Sequence, residues 1–393
     1  MRVLHLTTEF PPLIYGGLGT AVGGLVRAWV ASGRDGLVLL FDSAFDTGYY
    51  GAPGRHRFGR TIRLDSLVTA ISFERDFEEV LAAVAAARPD VIHLHSFWLG
   101  WQALRLREQL GIPLVYTVHS LDMAEYEIGH GPHECVGQWA HQAQVIEGAD
   151  RVIALSEDER RLIGAYCPAA ASKVRVVGNG IDERAIPRRR RRGGGPPVVL
   201  FSGRFVQRKG LWDFLEAIPL IEARCPGLNY VLAGGHRGSP AQDVAGWLLT
   251  PTLRAFGARI RFTGWLSAEE MADEYAAADI LVVPSWYEPF GMVVLEGMLH
   301  GLAVAASAVG GPVEILGGTR AGALFPPRNP EALADCVARL GRSPGERRRM
   351  GALGARWVRR RWLWSRIVYE MGDVYSEALG GASSGSAAGF RPN

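Results

Sequence analysis

Short runs of β-branched and leucine residues recur along this chain with room for a helix between successive runs, and the series plays out twice. Residues 3–6, 37–41, 91–94, 114–118 and 151–154 make the first series, with amphipathic stretches at 20–32, 73–87 and 138–148 between them. Runs apolar on both faces are what parallel strands covered by crossover helices need. The pattern restarts at 198–201, 230–233, 260–262, 280–283 and 303–306. At 393 residues the chain exceeds what one core organises. The expectation is therefore an α/β protein of two Rossmann-like domains.

The two series are separated by five consecutive arginines, three glycines and two prolines between Pro187 and Pro197. Such a segment repels itself and buries nothing. It places a first domain at 1–187, an Arg/Gly linker at 188–196 and a second domain at 197–361. The arginine run reads as a solvated linker in preference to a phosphate or anionic-lipid contact. Residues 381–393 are small, polar and glycine-rich, the composition of a disordered tail.

Charge and cysteine content exclude several classes. A net charge of +3 spread along the chain argues against nucleic-acid binding, which concentrates basic residues on one face. Cys135, Cys167, Cys225 and Cys336 are far apart and form no CxxC pair, so they suggest neither a disulfide framework nor a zinc ribbon. The opening MRVLHLTTEFPP meets Glu9 and two prolines before a signal-peptide core could develop. The most apolar window, 292–311, is broken by Glu296 and His300 and reads as a helix ending near Gly301 followed by a buried strand. No membrane-spanning segment and a cytoplasmic location are expected.

Three segments carry chemistry. The first strand runs through Thr7, Thr8 and Glu9 into YGGLGTAVGGL, where Gly16 and Gly17 precede a helix beginning near Thr20. Glycines let backbone N–H groups approach a phosphate, and a helix N-terminus adds partial positive charge. A tight turn packing the helix on the sheet would look the same. In FSGRFVQRKGLWDF, Gly203 and Arg204 follow a strand and Lys209 comes five residues later, so both cations can face one ligand. Lys209 is one of only two lysines among 43 basic residues. Fixed cations stabilise a departing diphosphate more in the transition state than in the ground state. No Asp-x-Asp triplet for a metal-bound diphosphate occurs, and a metal-independent reaction without cofactor is expected. In PSWYEPFGMVVLEGMLHG, Glu288 lies in a proline-flanked loop and Glu296 on a helix starting near Phe290, where the N–H groups of Phe290, Gly291 and Met292 face the loop. That helix end can hold a diphosphate, while Glu296 can accept from both ribose hydroxyls. Glu288 would then lie nearer the transferred sugar, or merely favour the helix dipole.

Together with HLHSFW, YTVHSLD and GNGID, these segments and their order resemble glycosyltransferase family 4, the retaining glycosyltransferases of the GT-B fold, over nearly the whole chain. The resemblance implies that the two domains close over a nucleotide-sugar donor at an interdomain cleft. It also implies that a C-terminal helix, 362–380, crosses back to the first domain. His119 would line the sugar pocket, Arg204 and Lys209 bind diphosphate, Glu288 contact the sugar, Glu296 bind ribose, Gly17 approach the donor and the backbone around Leu266 hold the base. Attack on the face that the diphosphate leaves would retain configuration without an enzymic nucleophile. Glu288 as a nucleophile in a double displacement is the alternative.

The activity so implied is transfer of a glucose- or N-acetylglucosamine-type hexose, UDP being the expected nucleotide, to a small-molecule acceptor. Asp122, Glu125, Glu127 and Glu134 follow His119, and with His133 they lie where the resemblance places the acceptor. An acidic rim suits a cationic acceptor such as the aminocyclitol of an antibiotic-type natural product, although solvated loop carboxylates are the commoner finding. A membrane-surface enzyme acting on a lipid or glycan and a non-catalytic nucleotide-sugar binder are the competing readings. His93 and His95 alternate at a strand end, one expected in the core and one facing the cleft. His130, His133, Cys135 and His141 match no zinc spacing.

Overall fold

A computed structural model describes residues 1–11, 14, 16–40, 63–64, 68–72, 77–129, 134–183, 195–235 and 250–385. The chain forms two compact units. One comprises Met1–Tyr126, Gly131–Gly180 and Trp364–Asn393, the other Glu127–His130 and Ile181–Leu363. The arginine run lies outside the described residues, as does the tail from residue 386.

The first unit is built on an eight-stranded sheet ordered β3-β4-β2-β1-β5-β6-β7-β8. Its strands are β1 (Arg2–Thr7), β2 (Asp35–Leu40), β3 (Arg63–Leu64), β4 (Val68–Ser72), β5 (Val91–Leu94), β6 (Leu114–Val118), β7 (Arg151–Ala154) and β8 (Val174–Val176). All pairings are parallel except β3 with β4. The helix after β1 begins at Gly17, a turn earlier than its sequence suggests. Its glycines serve packing as well, since a Cβ on Gly24 would fall 2.0 Å from the indole nitrogen of Trp364. Trp364 opens the last helix, Trp364–Gly385, which belongs to this unit and runs beyond the residue 380 at which the sequence suggests it stops. Ile367, Val368, Met371, Val374 and Tyr375 are buried along it, and the Tyr375 ring meets Trp29 edge-on at 5.0 Å.

The second unit carries a six-stranded parallel sheet ordered β11-β10-β9-β12-β13-β14. These strands are β9 (Val198–Gly203), β10 (Asn229–Gly234), β11 (Ile260–Gly264), β12 (Ile280–Val283), β13 (Ala303–Ser307) and β14 (Gly322–Phe325). The helix Met292–Leu299 ends at Gly301, whose φ of +76 suits glycine, before β13. No helix among the described residues is long and apolar enough to cross a membrane. In both sheets the strand order reverses beside the first strand, between β1 and β5 and between β9 and β12. Loops leaving the carboxyl ends of strands on either side of such a reversal leave a crevice, where open α/β sheets bind ligands.

Candidate functional site

Two loops flank the reversal in the second unit. After β9 come Gly203 and Arg204, then the 3-10 turn Gln207–Lys209. After β12 comes the loop that carries Glu288. The Lys209 Nζ lies 2.5 Å from Glu288 Oε2, so the two loops are tied by a mostly buried ion pair. Ser285 Oγ donates to the same carboxylate oxygen at 3.0 Å. Burial works to raise the Glu288 carboxyl, but Lys209, Arg208 and the Ser285 hydroxyl outweigh it and hold it below the usual range. Burial depresses Lys209, with Arg208 and Arg204 adding to that effect and Glu288 opposing it. An ammonium has three donors and Glu288 takes one, which leaves Lys209 able to meet phosphate oxygens while the pair persists. Trp286 anchors the loop: its backbone N–H donates to Arg208 O at 2.8 Å, its indole N–H donates to Asp213 and Arg328 lies over its ring at 4.1 Å.

Glu296 is the fifth residue of the helix Met292–Leu299, which starts two residues later than Phe290 because Gly291, at φ +103, serves as its N-cap. Phe290 is buried, and Met292 opens the first turn. Tyr275 donates to Glu296 Oε2 at 2.6 Å and lies 3.3 Å from Ser202 Oγ. Burial raises the Glu296 carboxyl, an effect the Tyr275 hydrogen bond partly offsets. His300 stacks on Tyr275 with centroids 5.1 Å apart. Leu266 is half-buried after β11, next to Ser267, which caps the following helix in a reciprocal capping box with Glu270.

Glycines allow these loops to touch. A Cβ on Gly210 would lie 1.8 Å from Pro284 O, one on Gly310 2.1 Å from Glu288 O, and one on Gly311 1.9 Å from Phe290 O. Gly311 N–H donates to Glu288 O at 3.0 Å. The AVGGP turn after β13 thus buttresses the Glu288–Gly291 loop. Sequence reasoning missed it, together with Ser202, Tyr275 and Ser285. The paired glycines at 310–311 were the available signal.

In the first unit Gly16 is extended at φ −179 and caps the helix with no side-chain acceptor. Glu9 Oε2 accepts from Gly19 N–H at 3.2 Å, so a carboxylate already serves one early donor of this helix. Gly17 is exposed.

His119 follows β6 and is half-buried at the end of a row of imidazoles. His5 Nδ1 is 3.0 Å from His95 Nε2, and His95 Nδ1 is 3.3 Å from His119 Nε2. His93 is bonded at both nitrogens, to Tyr375 Oη and Thr117 Oγ1, each at 2.7 Å. Both His93 and His95 are buried, and of the two it is His95 that meets His119. Removal from water drives the pKa of His5 down to about 3 and that of His119 to about 4, with His93 and His95 well below the usual value. His5, His93 and His95 offer nitrogens within 4.8 Å of one another, the one such cluster among the described residues.

Of the residues expected to face an acceptor, Asp122 opens the short helix Asp122–Glu127. Burial, with Glu125 adding to it, raises its carboxyl to about 7. Its Oδ2 is buried without a hydrogen-bond partner. Glu125 accepts from Ser120, and Glu127 is exposed. His130 and His133 lie outside the described residues, as do the side chains of Glu134 and Cys135, while His141 Nε2 contacts Phe97 O at 3.0 Å.

Comparison with known proteins supplies the family. Residues 196–343 match the family described as glycosyl transferases group 1, and residues 16–180 match the glycosyl transferase 4-like domain. The chain is 31% identical to a D-inositol 3-phosphate glycosyltransferase of Nocardioides over 328 residues, which cover 78% of this chain and 71% of that protein. Among solved structures, sucrose-phosphate synthase of Thermosynechococcus elongatus superposes with a TM-score of 0.75 at 23% identity, covering 97% of this chain and 100% of that one. An Anabaena protein, HepE, solved in complex with UDP-glucose, gives 0.73 at 20% identity and covers 96% and 99%. The fold they share is GT-B.

Proposed function

This chain belongs to the group 1, 4-like glycosyltransferases, and from that premise we propose that it moves a hexose from a UDP-sugar to a small-molecule acceptor, retaining anomeric configuration without a metal ion. The observation that carries the reading is the Lys209–Glu288 pair at the strand-order reversal, with Arg204 on the same loop and Glu296 on the adjoining helix. Lys209 and Arg204 would neutralise the charge that the diphosphate gains as the sugar bond breaks, which is the service a metal gives elsewhere. Glu296, fixed by Tyr275, would accept from the ribose hydroxyls, and Gly16, Gly17, Gly203, Leu266 and the Phe290–Met292 backbone would line the donor. Glu288 is committed to Lys209 and Ser285, which favours orientation of the sugar over nucleophilic attack. The UDP-glucose bound by HepE supports uridine and a glucose-type sugar.

His119 and the segment after it would serve the acceptor side. A phosphorylated inositol, the substrate named for the Nocardioides relative, carries negative charge that Asp122 and Glu125 would repel. A neutral or cationic acceptor, the aminocyclitol class included, suits those carboxylates better.

The test is the slow hydrolysis of UDP-glucose, UDP-N-acetylglucosamine, GDP-glucose and ADP-glucose in EDTA, followed by proton NMR. The α-anomer appearing first from one UDP-sugar is the expected result. Initial release of the β-anomer, or turnover only after magnesium is added, would overturn retention or metal independence respectively.

A further inference from the structure

The histidine row has a direction that its buried end determines. His5 Nε2 is buried and has no hydrogen-bond partner, whereas His5 Nδ1 meets His95 and His95 in turn meets His119. A neutral imidazole carries one proton, so each nitrogen is either donor or acceptor. Burying an unpaired N–H is rarer in folded proteins than burying an unpaired acceptor. The proton of His5 therefore belongs on Nδ1, from which it is donated to His95 Nε2. His95 is then protonated on Nδ1 and donates to His119 Nε2. That leaves His119 protonated on Nδ1, the nitrogen that has no hydrogen-bond partner among the described residues. His93 stands beside the row but outside it, both its nitrogens being taken by hydroxyls of Tyr375 and Thr117.

We propose that His5 and His95 are positioning residues that fix His119 as its Nδ1–H tautomer, so that the ring offers a donor, not a lone pair, to a sugar hydroxyl oxygen. The site's reading as a sugar pocket is a premise of this inference. A metal ion held by His5, His93 and His95 would take one nitrogen from each ring, and at His93 it would have to break one of the two hydroxyl bonds. It would also bury a double positive charge among three neutral ligands.

Nitrogen-15 NMR of the side-chain imidazoles in the full-length protein reads the tautomers directly. Nδ1–H for His5, His95 and His119 at neutral pH is the expected pattern, and Nε2–H on His119 would overturn the proposal even if no variant folds. His95→Phe should release His119 to a tautomer mixture and lower kcat for UDP-sugar hydrolysis by about tenfold or more, with KM little changed. His95→Asn keeps an amide donor toward His119 and should restore both. If His119→Ala leaves hydrolysis unchanged, the sugar-pocket premise is wrong. If His119→Ala abolishes hydrolysis but His95→Phe leaves the His119 tautomer as in wild type, only the relay is wrong. One equivalent of zinc in the purified protein would replace the relay with a metal site.

Discussion

At the scale of single residues, several candidate site residues are held where their ordinary charge is costly. Asp122 is the clearest case. Its carboxyl is raised to about 7, chiefly by burial, so the folded state binds its proton more tightly than the unfolded chain does. Asp122 therefore costs stability above pH 7, and that cost fades as pH falls toward the unfolded value near 4. Asp122→Asn should raise thermal stability at pH 8 by on the order of 2 kcal/mol and leave it nearly unchanged at pH 4. Equal effects at both pH values would mean that Asp122 is solvated like an ordinary surface carboxylate. Glu288 shows the opposite balance, because Lys209, Arg208 and Ser285 outweigh its burial. A buried carboxylate so held accepts hydrogen bonds and does not supply protons. The candidate residues Arg204, Lys209, Glu288 and Glu296 were all visible in the sequence, because, although each alone could be an ordinary surface or helix-end charge, their order and spacing together resemble a known family. Their partners were hidden. Tyr275, Ser202 and Ser285 are ordinary residue types whose role depends on which strands are neighbours.

At the scale of elements, glycines separate packing from function. Gly311 sits against Phe290 O and Gly310 against Glu288 O, so a methyl group at 311 must displace the loop that carries Glu288. Gly16 is extended, and a Cβ there would meet nothing within 4 Å. Gly311→Ala should lower stability by about 2 kcal/mol or more through overpacking. Gly16→Ala should leave stability within about 0.5 kcal/mol while weakening UDP-sugar binding, if a phosphate approaches there. Thermal denaturation alongside binding by both variants decides the point, and a Gly16→Ala protein that binds as wild type does would remove that glycine from the site. Strands β5, β6, β7 and β12 were legible to the residue because they are apolar on both faces. The short strands β8 and β14 were not, since VRV lacks the length, and GALF both the length and the β-branched residues, that mark a buried strand.

At the scale of the whole molecule, two sheets, parallel but for the β3–β4 pair, each reverse strand order beside their first strand, and each places candidate site residues beside the reversal. In the first unit these residues include a cluster of neutral histidines, which makes stability depend on acid. His5, His93, His95 and His119 resist protonation in the fold, through burial above all. Their unfolded counterparts charge below about pH 6.5. The unfolded state then binds more protons, so stability falls as pH drops from about 6.5 toward 4, by up to about 1.4 kcal/mol per pH unit for each ring. Asp122 and Glu296 act in the opposite sense but are outnumbered. Denaturant unfolding at pH 7 and pH 5 should show a marked loss at pH 5 that His5→Phe reduces, and equal stability at the two pH values would contradict the buried, neutral row. The functional reading depends above all on the second unit, where Lys209, Glu288 and Glu296 are assigned to a nucleotide-sugar site. Calorimetric titration of UDP, GDP and ADP in EDTA, into wild type, Lys209→Ala and Glu296→Ala, is the decisive test. UDP should bind the wild type, and each substitution should weaken it by about tenfold or more, the loss of one charge-assisted contact. Binding that both substitutions leave unchanged would contradict the assignment.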